Sequence, residues 1–144
     1  MKIKKSIFYW GIFSIYAIII FYLSTRKIDI PQYHSYQDKW LHFVVYGIYA
    51  FLLGTAWSKT MSVDINFKLT INVIIISTVY GVLIEFCQIF YGRHFEIMDM
   101  IFNCVGSILG TFTLKVFFKL VTKIDSKLFK DNLSCTVLIE EKDV

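Results

Sequence analysis

Four apolar runs, each long enough to cross a lipid bilayer, constrain this chain more than any other feature. They extend over Ser6–Ser24, Trp40–Trp57, Leu69–Tyr91 and Ile97 to about Val121, and short polar stretches join them. A spanning helix needs about 20 predominantly apolar residues, because lipid offers the backbone polar groups no partner outside the helix. The sequence therefore predicts an all-α integral membrane bundle of four transmembrane helices.

The composition agrees with a chain embedded in lipid. Of its 144 residues, 56% are hydrophobic and only 18% are charged, whereas a soluble domain carries about 25% charge. The net charge of +4 does not indicate nucleic-acid binding, because the lysines lie at the ends of apolar runs and do not line one face. The three cysteines form no CxxC pair, which argues against a disulfide framework or a zinc ribbon.

The placement of Lys and Arg predicts the orientation. If the N-terminus is cytoplasmic, ten lysines lie on the inner side, and the outer connections hold only Arg26, Lys27, Lys39 and Arg93. Because basic residues favour the cytoplasmic side, we expect a multi-pass membrane protein with both termini inside. Residues 1–121 are predicted to form the transmembrane domain. Residues 122–144 are predicted to form a polar cytoplasmic tail, either a short amphipathic helix or a disordered segment.

Ionisable and amide side chains collect at the outer ends of the last three runs. Asp38, His42 and Tyr46 recur at a spacing of four, which places them on one helical face. Similar spacings relate Glu85 to Gln88 and Asp99 to Asn103. The predicted functional cluster comprises Asp38, Lys39, His42, Tyr46, Glu85, Gln88, Arg93, Asp99 and Asn103.

The depth of these residues favours a function. At 1.5 Å per residue, Glu85 lies roughly 9 Å below the end of its helix, within the hydrocarbon. A charge at that depth costs several kcal/mol unless it is paired or hydrated, so it faces the bundle interior and by default marks a site. The competing interpretation is a polar network that only fixes helix packing. Gly106 and Gly110 form a GxxxG pattern that would let another helix, in this chain or in a partner, approach closely.

These motifs resemble the VanZ-like membrane proteins. The pattern D-K-x-x-H-x-x-x-Y begins at Asp38, E-x-x-Q begins at Glu85, and G-R-x-x-E-x-x-D-x-x-x-N-x-x-G begins at Gly92. Tyr91 stands where many members have a proline, which affects the turn more than the chemistry. The resemblance covers residues 38 to about 110 and implies a bacterial inner-membrane protein. The family's namesake is associated with tolerance of teicoplanin-type glycopeptides, and no reaction is implied.

We therefore expect the cluster to bind or act on an amphipathic or lipid-linked envelope molecule, with Arg93 and Lys39 holding its anionic head. The membrane lipids are the other expected partners, and no cofactor is expected. A metal site built from His42, Glu85, Asp99 and His94 is compatible with the chemistry, but the lack of an HExxH motif does not favour it. The alternatives are an acid–base enzyme acting on a lipid substrate, and an accessory subunit docked through Gly106 and Gly110.

Overall fold

The structure, a computed structural model, describes residues 2–26, 37–61, 65–92 and 95–140, with side chains over 6–26, 37–61, 65–92 and 95–127. All regular structure in these residues is helical: α1 (Lys2–Thr25), α2 (Gln37–Met61), α3 (Phe67–Phe90) and α4 (Ile97–Glu140). Each helix contains a segment long and apolar enough to cross a membrane, over Ser6–Thr25, Gln37–Met61, Phe67–Phe90 and Ile97–Lys127. The predicted all-α fold with four spanning helices is confirmed, and the orientation of its termini stays a prediction.

Local signals explain where α3 begins and ends. The Asn66 side chain accepts a hydrogen bond of 2.8 Å from the backbone N–H of Leu69, which caps the first turn. After the helix, Gly92 has a φ of 73°, in the left-handed region where a side chain would be strained. Its N–H donates to the carbonyl of Ile89 at 3.0 Å, which satisfies one of the last carbonyls of the helix. The helix therefore ends in a turn at Tyr91 and Gly92.

Successive helices run in opposite directions. The Trp10 indole near the start of α1 donates to Thr60 near the end of α2, and the Tyr16 hydroxyl donates to the carbonyl of Val45. Gln88, at the end of α3, donates to the carbonyl of Ser24, at the end of α1. The ends of α1 and α3 and the starts of α2 and α4 therefore lie together. We call this the cluster end of the bundle, because the predicted polar residues belong to it.

Aromatic side chains hold α1, α2 and α3 together. The Tyr49 and Tyr80 rings stack with centroids 4.7 Å apart, and the Phe13 ring meets Tyr49 edge-on at 5.0 Å. The Tyr80 hydroxyl, which would otherwise be costly within an apolar core, donates to the carbonyl of Ala17 at 2.7 Å. Large apolar side chains on the outer faces are exposed, including Ile18, Val79 and Phe112. Such faces suit lipid, because a water-soluble bundle carries polar residues there.

Two glycines let α4 touch α2 along the backbone. A Cβ atom added at Gly106 would collide with the carbonyl oxygen of Phe43, and one added at Gly110 would collide with that of Gly47. The GxxxG pattern thus packs against a helix of the same chain, as small residues do where helix backbones approach closely. Docking of a partner protein through the same glycines stays a prediction.

The chain divides by its packing into two units, Met1–Leu114 and Lys115–Val144. The second unit consists of the later part of α4, whose backbone is helical as far as Glu140. The apolar run predicts that the fourth span ends at about Val121. The helix extends further because no Gly or Pro follows Gly110 to interrupt it. The boundary between transmembrane domain and tail at residues 121 and 122 stays a prediction.

The close packing at Gly110 predicts how a substitution there changes the stability of the protein. Gly110→Ala should lower the free energy of unfolding in detergent micelles by about 1–3 kcal/mol, because the new methyl group meets backbone atoms that cannot rotate away. Gly11→Ala is the matched control, because no atom lies within 4 Å of its added Cβ and alanine favours a helix. Equal stability of the two variants would contradict the close contact between α2 and α4.

Candidate functional site

A lysine at the start of α2 is bound by two carboxylates at the start of α4. The Lys39 Nζ lies 2.6 Å from an oxygen of Glu96 and 3.5 Å from Oδ1 of Asp99. The Glu96 side chain is 49% exposed, whereas that of Asp99 is only 5% exposed. Asp99 also lies in the first turn of α4, where the positive end of the helix dipole stabilises a negative charge. The ion pairs therefore run from the surface into the bundle.

His42 lies one turn deeper than Asp38 on α2 and uses both of its ring nitrogens. Nδ1 makes a hydrogen bond of 3.0 Å with Oδ1 of Asn103 on α4. Nε2 faces Oδ2 of Asp99 at 3.5 Å and Oδ1 of Asp38 at 4.0 Å. The amide fixes the ring orientation, so Nε2 is directed at two carboxylates. The hydrogen bond to Asn103 therefore joins α2 to α4 within the buried part of the cluster.

Polar residues continue along α4 beneath Asn103 at a spacing of four. Ser107 donates to the carbonyl of Asn103 and Thr111 donates to that of Ser107, both at 2.8 Å. All three side chains are buried, at 1% exposure or less. Serine and threonine satisfy their hydroxyls in this way within an apolar helix, so the stripe extends polarity inward without adding charge.

The Tyr46 ring stacks parallel to His42, with centroids 6.4 Å apart and an angle of 8° between the planes. A glycine on α3 makes room for this pair, because a Cβ at Gly81 would lie 2.8 Å from Nδ2 of Asn103 and 2.9 Å from Cε1 of Tyr46. Among the described residues, the Tyr46 hydroxyl, Nδ2 of Asn103 and Oδ1 of Asp99 are buried without a hydrogen-bond partner. Buried polar atoms of this kind call for a bound group or water.

The other three residues of the predicted cluster are Glu85, Gln88 and Arg93, and the first two lie on α3, not on α2 or α4. Glu85 is fully buried on α3 and lies near enough to Tyr46 to interact with it electrostatically. Gln88 is also buried, but its amide donates to the carbonyl of Ser24 on α1 at 3.2 Å. Arg93 lies outside the described residues. The structure therefore brings together Asp38, Lys39, His42, Tyr46, Asp99 and Asn103 around the contact between α2 and α4.

A pocket of about 460 Å³ opens at the same end of the bundle, between the ends of α1 and α3. Its lining consists of Phe21, Tyr22, Thr25, Arg26 and Tyr91. The Arg26 guanidinium lies 4.5 Å from the centre of the Tyr22 ring, a cation–π contact that holds the charge over an aromatic surface. A cationic group beside aromatic rings suits an amphipathic ligand.

Four residues at this end of the bundle lie outside the cluster predicted from the sequence: Arg26, Glu96, Ser107 and Thr111. Ser107 and Thr111 continue the spacing of four from Asp99, and this periodicity was a signal available in the sequence. Glu96 stands within the family pattern but was not among the site residues. In the sequence, Arg26 contributes only to the distribution of basic residues that predicts the orientation. Nothing in the sequence indicates that the end of α1 lies beside the end of α3.

One group of described residues has the donor atoms to hold a metal ion. It consists of Asp38, His42 and Asp99, whose candidate ligand atoms all lie within 4.8 Å of one another. This set differs from the one considered from the sequence, because Glu85 is not part of it. His94 lies outside the described residues.

The arrangement of motifs and helices agrees with a comparison to known families. A family model described as VanZ/LLP1 matches residues 5–119, a range that holds the whole polar cluster. The chain belongs to the VanZ/LLP1 family. With its four spanning helices, this VanZ/LLP1 member is a multi-pass membrane protein. No curated protein and no solved structure matches the chain.

A double-mutant cycle tests the contact between His42 and Asn103. We expect His42→Ala and Asn103→Ala to show a coupling energy of about 0.6–1.7 kcal/mol in micelle unfolding, the range for hydrogen bonds between membrane helices. The control cycle pairs His42→Ala with Thr113→Ala, whose exposed hydroxyl bonds only within α4. That cycle should be additive. Additivity in both cycles would mean that the buried hydrogen bond is absent.

Proposed function

We propose that this VanZ/LLP1 member binds the anionic headgroup of an amphipathic or lipid-linked cell-envelope molecule at the cluster end. The observation that carries the proposal is the ion-paired Lys39 at the entrance of a buried polar cluster. Its side chain is 13% exposed, and it lies between the exposed Glu96 and the buried Asp99. Ionisable groups held at membrane depth mark ligand or ion sites more often than they serve packing alone.

The ion pair at the entrance is suited to exchange. A salt bridge to a solvent-exposed carboxylate contributes only about 0–1 kcal/mol, because water screens it. An arriving phosphate or carboxylate could therefore displace Glu96 from Lys39 at little cost, while Asp99 keeps the ammonium group in place. Glu96 then acts as a competing anion that covers the site when no ligand is bound.

The pocket lined by Arg26 supports an amphipathic ligand. It supplies a second cationic group and three aromatic rings at the same end of the bundle as Lys39. The exposed apolar faces of the helices would hold the lipid part of such a molecule within the bilayer. We further propose that the cluster end faces outward from the bacterial cytoplasmic membrane, in line with the charge distribution, and that glycopeptide tolerance is one consequence of ligand binding.

Binding of farnesyl phosphate to the purified protein tests the headgroup proposal directly. Lys39→Gln should weaken binding about tenfold, which corresponds to about 1.4 kcal/mol. Glu96→Gln should strengthen binding, because it removes the competing carboxylate. Lys68→Gln is the matched control, since Lys68 is an exposed lysine in the first turn of α3, at the opposite end of the bundle.

Farnesol supplies the second control, because it has the same chain without the phosphate. Equal affinity for farnesol and farnesyl phosphate would show that the headgroup is not recognised. Equal losses in Lys39→Gln and Lys68→Gln would show that only general surface charge matters. Either result would remove the proposed site.

Cells test the physiological part of the proposal. A deletion strain complemented with Lys39→Gln should show the teicoplanin susceptibility of the deletion, while Lys68→Gln should restore the wild-type value. Immunoblots of membrane fractions must show equal amounts of both variants. If the deletion itself leaves teicoplanin and vancomycin susceptibility unchanged, the glycopeptide role is wrong for this protein. Headgroup binding would then be judged on the purified protein alone.

A further inference from the structure

Three atoms with lone pairs converge at the contact between α2 and α4. They are Oδ1 of Asp38, Nε2 of His42 and Oδ2 of Asp99, all within 4.8 Å of one another. In the tautomer whose Nδ1 carries the proton and donates it to Oδ1 of Asn103, the neutral ring of His42 presents a lone pair at Nε2. That lone pair is directed at two carboxylate oxygens, at 3.5 Å and 4.0 Å. A cation placed among these three atoms would be within reach of a lone pair from each of them.

The charges around Nε2 also favour a cation. The carboxylates of Asp38 and Asp99 both face this nitrogen, at 4.0 Å and 3.5 Å. Lys39 lies 3.5 Å from Oδ1 of Asp99, whereas Oδ2 faces the imidazole. The Asp99 side chain is only 5% exposed, so water does little to stabilise its negative charge, and a cation among these atoms would do so.

We propose that Asp38, His42 and Asp99 form a binding site for a divalent metal ion, with zinc as the ion that best suits one imidazole and two carboxylates. Three protein ligands with an open fourth position are the usual arrangement of a reactive zinc site. Neighbouring ligand atoms around a tetrahedral zinc are about 3.3 Å apart, given metal–ligand distances of about 2.0–2.1 Å. Two of the three separations between ligand atoms are 3.5 Å and 4.0 Å, and all lie within 4.8 Å, so side-chain rotations would have to draw the atoms together by about 0.2–1.5 Å to reach that value.

The residues around the triad are arranged as metal sites require. Asn103 orients the imidazole through Nδ1, in the way that a second hydrogen-bond partner fixes a ligating histidine. Lys39 lies against the other oxygen of Asp99, which leaves Oδ2 free to face the ion. Asp38 is the most exposed of the three ligands, at 25%, so the open coordination position lies toward the surface.

The metal site also bears on the proposed function, because the carboxylates of Glu96 and Asp99 lie against Lys39 and oppose the approach of an anionic headgroup. A bound zinc ion would attract one and could coordinate a phosphate oxygen at its open position. This role rests on the proposed function, but the metal site does not, because it can be measured with the ion alone.

The experiment uses zinc and the full chain, purified in detergent through a tag without histidines and with all three cysteines replaced by serine. Titration calorimetry should show one zinc ion bound per chain, and elemental analysis should find the ion retained after gel filtration. Asp38→Asn and Asp99→Asn should each weaken zinc binding at least about tenfold, and Asn103→Ala should weaken it about tenfold through the orientation of His42. Asp125→Asn, an exposed carboxylate on α4, is the matched control.

A spectroscopic measurement separates ligation from folding. Bound Co²⁺, which takes the place of zinc, should show visible absorption bands that change in His42→Gln. Each variant must elute as a single species, and Asp38→Asn serves where Asp99→Asn fails to do so. The proposal is overturned if wild type retains no zinc, or if Asp38→Asn binds zinc as tightly as Asp125→Asn does. Zinc binding without any affinity for farnesyl phosphate would support the metal site and overturn the proposed function.

Discussion

The close approach of α2 and α4 is the contact on which the polar cluster depends. Gly106 and Gly110 remove two side chains from α4, and the carbonyls of Phe43 and Gly47 occupy the space. At that separation the short side chain of Asn103 reaches His42. A larger residue at either glycine would separate the helices and lengthen every bond between them. The small-residue pattern thus sets the geometry of the charged residues one and two turns nearer the helix ends.

The arrangement also explains how ionisable groups are tolerated within spanning helices. Side-chain exposure falls from 49% at Glu96 to 13% at Lys39 and 5% at Asp99. Each deeper group is paired with one nearer to water, and beneath Asp99 the polarity continues through amides and hydroxyls that carry no charge. A full charge at the bilayer centre would cost several kcal/mol, and the ion pairs between α2 and α4 lie near the starts of these helices.

The parts of this structure that depend on one helix at a time could be predicted from the sequence. The four spanning helices follow from the apolar runs, and the shared face of Asp38, His42 and Tyr46 follows from their spacing. What could not be predicted is which helices pair. Gln88 and Glu85 are three apart on α3, yet Gln88 bonds to α1. The bond between His42 and Asn103 likewise joins two helices, α2 and α4, and Gly81 on α3 leaves room for Asn103 and Tyr46.

The same pairing decides which chemistry the cluster supports. In the sequence, Asp38, His42 and Asp99 belong to two motifs about 60 residues apart, and neither motif has the spacing of a metal site. The folded helices place their donor atoms within 4.8 Å, with the imidazole already oriented by a buried amide. A lysine alone at this position would hold an anion weakly, since two of its carboxylate neighbours compete for it. The proposed metal ion would take one of these carboxylates, that of Asp99, as a ligand together with Asp38 and His42, so the same residues would serve both burial of charge and recognition of an anionic head.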